Sequence, residues 1–186
     1  MSFRFLVTAL IASLSIVFSF QNCGSPSAIS GGSELASDPL AGTFLSLPDA
    51  PMTQEEVDEI SIDCPERDEG LEISNPERGC FVFMIGTPEE NSPGILVNTE
   101  EPSIQEVIDK AKVNLSNVDN PPDVVIIVNP DANVPLNINT VGANFSTYVY
   151  YGGSSIRLGS SNPSSKVSSN SIEAYHFPPG IQHSSN

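Results

Sequence analysis

The apolar residues of this chain fall into one long run, several short runs and one helical stripe. Each spacing predicts a different element. Phe5–Phe20 is apolar with scattered Ser and Thr, and follows a single basic residue, Arg4. At 16 residues it is shorter than the roughly 20 that a membrane-spanning helix needs. A basic start, a short apolar run and a polar exit are the pattern of an export signal, so residues 1–22 are predicted to be a signal peptide.

The helical stripe lies in "PSIQEVIDKAKVNL". Ile104, Val107, Ile108, Ala111 and Leu115 recur at helical period, with Gln105, Glu106, Asp109 and Lys112 on the other side. Ser103 and Glu106 have capping-box spacing, and Pro102 precedes them. This predicts an amphipathic helix over about 103–115. Thr53 and Glu56 repeat the spacing at the head of "TQEEVDEI", which predicts a second, short helix.

Strands come from the short runs. "FVFMI" at Phe81–Ile85 and the β-branched "VVIIV" at Val124–Val128 are continuous and suit strands covered on both faces. "GILVN" and "TYVYY" are further candidates, and Leu136, Ile138 and then Ile156, Leu158 alternate with polar residues as half-buried strands do. Pro121-Pro122 and Asn129–Asn133 are turn chemistry between them. The predicted fold is α/β or α+β, strand-rich, with the 103–115 helix packed on a small sheet.

Composition divides the rest. Gly24–Pro51 is rich in Gly, Ser, Ala and Pro, so residues 23–51 read as a flexible tether, although Phe44, Leu45 and Leu47 could dock on the domain. Residues 52–159 are the expected domain. Residues 160–186 are Ser-, Asn- and Pro-rich and read as a largely disordered tail. The chain carries 23 acidic and 7 basic side chains, a net charge of −16. Such a charge repels nucleic acid phosphates and excludes non-specific nucleic acid binding. The acidic residues concentrate between Asp49 and Glu101.

The chain has three cysteines. Phe20-Gln21-Asn22-Cys23 resembles a variant lipobox of bacterial lipoproteins, in which the Cys is acylated and becomes the mature N-terminus. The apolar residue and the Cys match; Gln21 and Asn22 are larger than the usual pair. The resemblance implies a lipid on Cys23, and Gly24 in place of an Asp implies the outer membrane. The alternative is ordinary signal cleavage within Ser25–Ala28. With Cys23 lipidated, Cys64 and Cys80 remain as an even pair, and thiols pair in an oxidising compartment. A Cys64–Cys80 disulfide is therefore expected across the acidic, turn-rich stretch between them.

Pro102–Leu158 is similar in element order to the opening region of right-handed parallel β-helices of the pectin lyase-like group. The matching pieces are "PSIQEVIDKAK", "PDVVIIVNPDA", "PLNI" and "YVYYGG". The resemblance implies a helix that covers the open end of a strand stack. Two architectures follow, a truncated β-helix opening or a small α/β sandwich. A third comparison, with periplasmic modules such as the TolR-like domain, fits the order of elements alone.

Chemistry is sparse. The family's catalysis would need a basic proton acceptor and clustered Asp ligands. Here Arg157, Lys166, Asp123, Asp131 and Glu173 stand at no known spacing, and the later coils that hold the family's catalytic residues are missing from the sequence. His176 and His183 lie in the expected tail, and read as solvated. No G-x-S-x-G, G-x-G-x-x-G or P-loop is present. Tyr148 and Tyr150 share a strand face and are the candidate sugar-stacking pair, with core packing as the other reading. The expectation is an envelope-anchored lipoprotein without enzymatic activity, cofactor or metal, held to the membrane by its lipid. Its role would be structural or adhesive, through a protein or a glycan. The rival is a carbohydrate-binding or carbohydrate-active β-helix remnant.

Overall fold

The computed structural model describes residues 43–65, 72–88, 92–152 and 172–183, and the backbone of 165–168. All of these fall in one compact unit. The export signal, Cys23, most of the tether and the Ile156/Leu158 strand lie outside the described residues.

The fold is mixed α/β and strand-rich. In chain order the strands are β1 (Cys80–Ile85), β2 (Ile95–Val97), β3 (Asp123–Val128), β4 (Ile138–Asn139), β5 (Thr147–Gly152), β6 (Ser165–Ser168), β7 (Ile172–Phe177) and β8 (Gln182–His183). Helix α1 spans Gln54–Ile60 and α2 spans Ile104–Asn114; Phe44–Ser46 and Pro76–Arg78 are 3-10 turns. Six strands form one sheet in the order β2-β1-β3-β5-β7-β6. The first four are mutually parallel, and β7 and β6 run antiparallel at the far edge. β4 pairs with β8 in a separate two-stranded ladder.

Both helices start where the caps predict. Thr53 and Glu56 make the full reciprocal box. At α2, Ser103 accepts the Glu106 N–H at 3.0 Å. The apolar stripe of α2 is buried to the last residue: Ile104, Val107, Ile108, Ala111 and Leu115 are all at 1% exposure or less.

Alternation along the strands sorts the core into two faces. The first face carries Phe81, Phe83, Ile85, Val124, Ile126, Val128, Val149, Tyr151, Tyr175 and Phe177, packed with the α2 stripe. The second carries Cys80, Val82, Val125, Tyr148, Tyr150 and Ala174. Ile62, Cys64 and Ile73 pack against it, from the acidic stretch that precedes β1.

Two boundaries differ from the sequence reading. The domain does not begin at residue 52. Phe44, Leu47 and Met52 are core residues, and Thr43 bridges Leu96 at the sheet edge. The buried Asn114 side chain donates to the carbonyls of Pro48 and Ala50 at 2.7 and 3.0 Å, and Met52 N–H returns to the Asn114 carbonyl. Lys110 pairs with Asp49. The end of the expected tether is thus a strap across α2.

The second correction concerns 160–186, which is not uniformly a disordered tail. β7 is an inner strand of the sheet, and β8 completes the small ladder. Ala174, Tyr175 and Phe177 are buried on opposite faces. The strand was hidden because its polar positions mask the alternation, and because the inner partner that covers it, β5, lies twenty or more residues back in the chain. Its residues include Glu173 and His176, and its flanks are Ser and Pro. The Tyr175 hydroxyl donates to Glu173 at 2.7 Å, and the Thr140 hydroxyl, itself buried, accepts the Ile181 N–H at 2.8 Å and holds the last turn.

Along Pro102–Leu158 the path leaves β3, contributes β4 to a second ladder and returns as β5 parallel to β3. After β5 the sheet is completed by β7, which pairs antiparallel with β5 on one side and with the edge strand β6 on the other, rather than by another parallel pairing.

Candidate functional site

Polar chemistry collects at one corner of the second face, where the parallel strands begin. The register explains the gathering. Cys80 pairs with Asp123 at the starts of β1 and β3, and Tyr148 pairs with Val125 on one side and with His176 on the other. Period-2 geometry sends Cys80, Asp123, Tyr148 and His176 to the same face. Ser74 reaches them from the stretch preceding β1.

That stretch is fastened at three points. Cys64 and Cys80 form a disulfide, with Cα atoms 4.9 Å apart. Ile62 exchanges both backbone hydrogen bonds with Cys80, at 3.1 and 2.7 Å. The Ser74 N–H donates to the Tyr148 hydroxyl at 3.0 Å, and the two hydroxyls share a proton contact at 2.8 Å. Tyr148 in turn stacks on His176, with ring centroids 4.7 Å apart and planes 18° from parallel.

Asp123 is a carboxylate in a place that disfavours charge. It is 4% exposed, and burial pushes its carboxyl above the usual carboxylate range. The backbone N–H groups of Ser146 and Asn75, the neighbouring His176, and the Ser74 N–H draw it partway back. His176 shows the mirror effect. Burial holds its imidazole below the ordinary value, and the Asp123 charge offsets part of that. Asp123 Oδ2 and His176 Nε2 are both buried without a hydrogen-bond partner among the described residues.

The predicted site residues can now be placed. The Cys64–Cys80 disulfide is present. Tyr148 and Tyr150 do not form an exposed sugar-stacking face: each is 1% exposed and belongs to the second core cluster. A sheet covered on both sides leaves no open face for them. His176 and His183 are not solvated tail residues; His176 is half-buried and stacked on Tyr148, and His183 is buried against Phe177, 5.8 Å between centroids. Cys23 lies outside the described residues. Sequence reasoning missed the Asp123–His176 neighbourhood because β7 was missed; the alternation of Ile172, Ala174 and His176 was the available signal.

Elsewhere, Asp131 at the opposite end of the strands accepts the N–H and hydroxyl of Thr87, which draws its carboxyl below the usual range and ties the loops after β1 and β3 together. A shallow cleft of about 590 Å³ lies beside α1, lined by Asp58, Asp63, Glu77 and Arg78 among others. Among the described residues no group of His, Cys, Asp and Glu is placed to hold a metal ion, and no helix is long and apolar enough to cross a membrane. Comparisons with protein-family models, with curated proteins and with solved structures find no match for this chain.

Proposed function

We propose that this protein is an exported lipoprotein, anchored in a bacterial envelope through acylated Cys23, with a non-enzymatic structural or adhesive role. One observation carries the reading. Of the three cysteines, Cys64 and Cys80 are bonded to each other, which leaves Cys23 as the odd thiol, three residues past the end of the apolar run. A disulfide fits an oxidising compartment, and the thiol at the end of an export signal is the position that an acyl group takes.

The use of the polar groups supports a scaffold over a catalyst. The hydroxyls of Ser74 and Tyr148 bond each other, Asp131 holds Thr87, and Thr140 holds the last turn. Each of these groups fastens one piece of chain to another. With Tyr148 and Tyr150 buried, contact with a protein or glycan would fall to other surfaces of the domain.

Mass spectrometry of the protein purified from membranes tests the anchor. The expected result is an N-terminal Cys23 carrying acyl chains. A free N-terminus beyond residue 23, with no acyl mass, would overturn the proposal.

A further inference from the structure

We propose that residues 43–52 are a releasable strap that holds length in reserve for the tether. Tension on the chain N-terminal to Thr43 peels the strap from α2, and the Cys64–Cys80 disulfide stops the peeling at β1. The inference rests on the lipoprotein reading for the source of the tension, and on the geometry of the strap for everything else.

Apart from the single turn Phe44–Ser46, the strap has no regular structure of its own. Phe44, Leu47 and Met52 are buried, while Leu45, Ser46 and residues 48–51 are exposed. Its ties to the rest follow one another along the chain. Thr43 makes an isolated bridge to Leu96, and Phe44 meets Phe83 edge to face at 6.2 Å. Asp49 pairs with Lys110, but its side chain is 93% exposed and the pair is screened by solvent. The carbonyls of Pro48 and Ala50 are held by the Asn114 side chain, and the Met52 N–H by the Asn114 carbonyl at 2.9 Å.

Ties spaced along one chain are loaded in turn, so each one faces the pull alone. Ladder bonds share a load, and β1 has ladders on both sides, to β2 and to β3. The strap is therefore the unit that opens first. Helix α2 keeps its own fastenings when the strap leaves. Its cap is at the other end, on Ser103, and its apolar stripe packs on the sheet.

The stop is covalent. From the strap the chain runs through α1, in which Val57 is the one fully buried residue, to Ile62 and Cys64. Cys64 is bonded to Cys80, the first residue of β1. Load that reaches Cys64 passes through that bond into an inner strand, and the residues between the two cysteines carry none of it. At 3.3–3.6 Å per extended residue, the strap frees up to about 36 Å of chain, and up to about 75 Å if α1 follows it as far as the stop. Its ten residues add half again to the chain between Cys23 and Thr43.

Optical tweezers on the intact, disulfide-bonded protein test this. One handle is placed at the N-terminus and the other on an azide-bearing residue at exposed Asn117, just past α2. A reversible first lengthening of no more than about 75 Å is expected before the sheet ruptures. Asn114→Ala should lower the force of that first step and leave the force of the second unchanged. Rupture in one step, a first step longer than the stop allows, or a first step that Asn114→Ala does not move would overturn the proposal. Should the variant fail to fold, amide exchange of the wild-type protein decides. Relative to intrinsic rates, the Met52 amide is expected to exchange at least tenfold faster than the amides of β1 and β3, and equal protection refutes the strap. Neither measurement reads Cys23, so a failed strap leaves the anchor standing, and a missing acyl chain leaves the strap standing.

Discussion

The two faces of the central sheet are built from the same strands but are held in different ways. The first face is covered by a capped helix and a strap, and the side chains that meet the sheet there are mostly apolar. Phe81 and Phe83 meet edge to face at 5.3 Å, and Phe44 joins them from the strap. The second face is covered by an acidic stretch that brings Ile62, Cys64 and Ile73. Here a disulfide and a hydroxyl pair add to a smaller apolar cluster. A segment that is too polar to collapse on a sheet is fastened by a covalent bond and a few directed hydrogen bonds. Burial is spread over many atoms and yields gradually, whereas a few fastenings can be undone one at a time.

The comparison can be broken first on the apolar side. Phe83→Ala empties a site at 0% exposure and should destabilise the fold by about 3–5 kcal/mol, read as a fall in the urea midpoint. Removing the crosslink comes next. Reduction, or Cys64→Ser, opens the closed loop and should cost about 3 kcal/mol in the loop-entropy model, seen as a lower melting temperature. If reductant leaves the melt unchanged, the second face does not depend on the bond. Asn114→Ala removes both donors that grip the strap and should cost about 1–3 kcal/mol, with faster proteolysis N-terminal to residue 52. The smallest effect is expected from Tyr148→Phe, which keeps the ring on His176 but frees Ser74, at about 1 kcal/mol in the same urea assay.

Legibility in the sequence followed the same division. The α2 helix was readable because its apolar stripe and its cap are local signals. β1 and β3 were readable as unbroken apolar runs. The disulfide could be counted out from three cysteines. β7 was not readable, because an inner strand with Glu173 and His176 owes its place to register with β5 and not to an apolar run of its own. Missing β7 hid the Asp123–His176 corner, since neither residue signals anything alone. The strap was half visible: Phe44 and Leu47 stood out in a Gly- and Ser-rich stretch, but Asn114 as its grip did not, being one polar residue at the end of a helix. For Tyr148 and Tyr150 the sequence left sugar stacking and core packing open, because a period-2 pattern shows which residues share a side, not whether that side is covered.

Amide exchange of the oxidised and reduced protein at neutral pH tests the division of labour most directly. The account predicts that reduction strips protection from Ile62 and Ser74 while α2 and the inner strands β1, β3 and β5 keep most of theirs. Uniform loss across both faces, or no loss at Ile62 and Ser74, would contradict it.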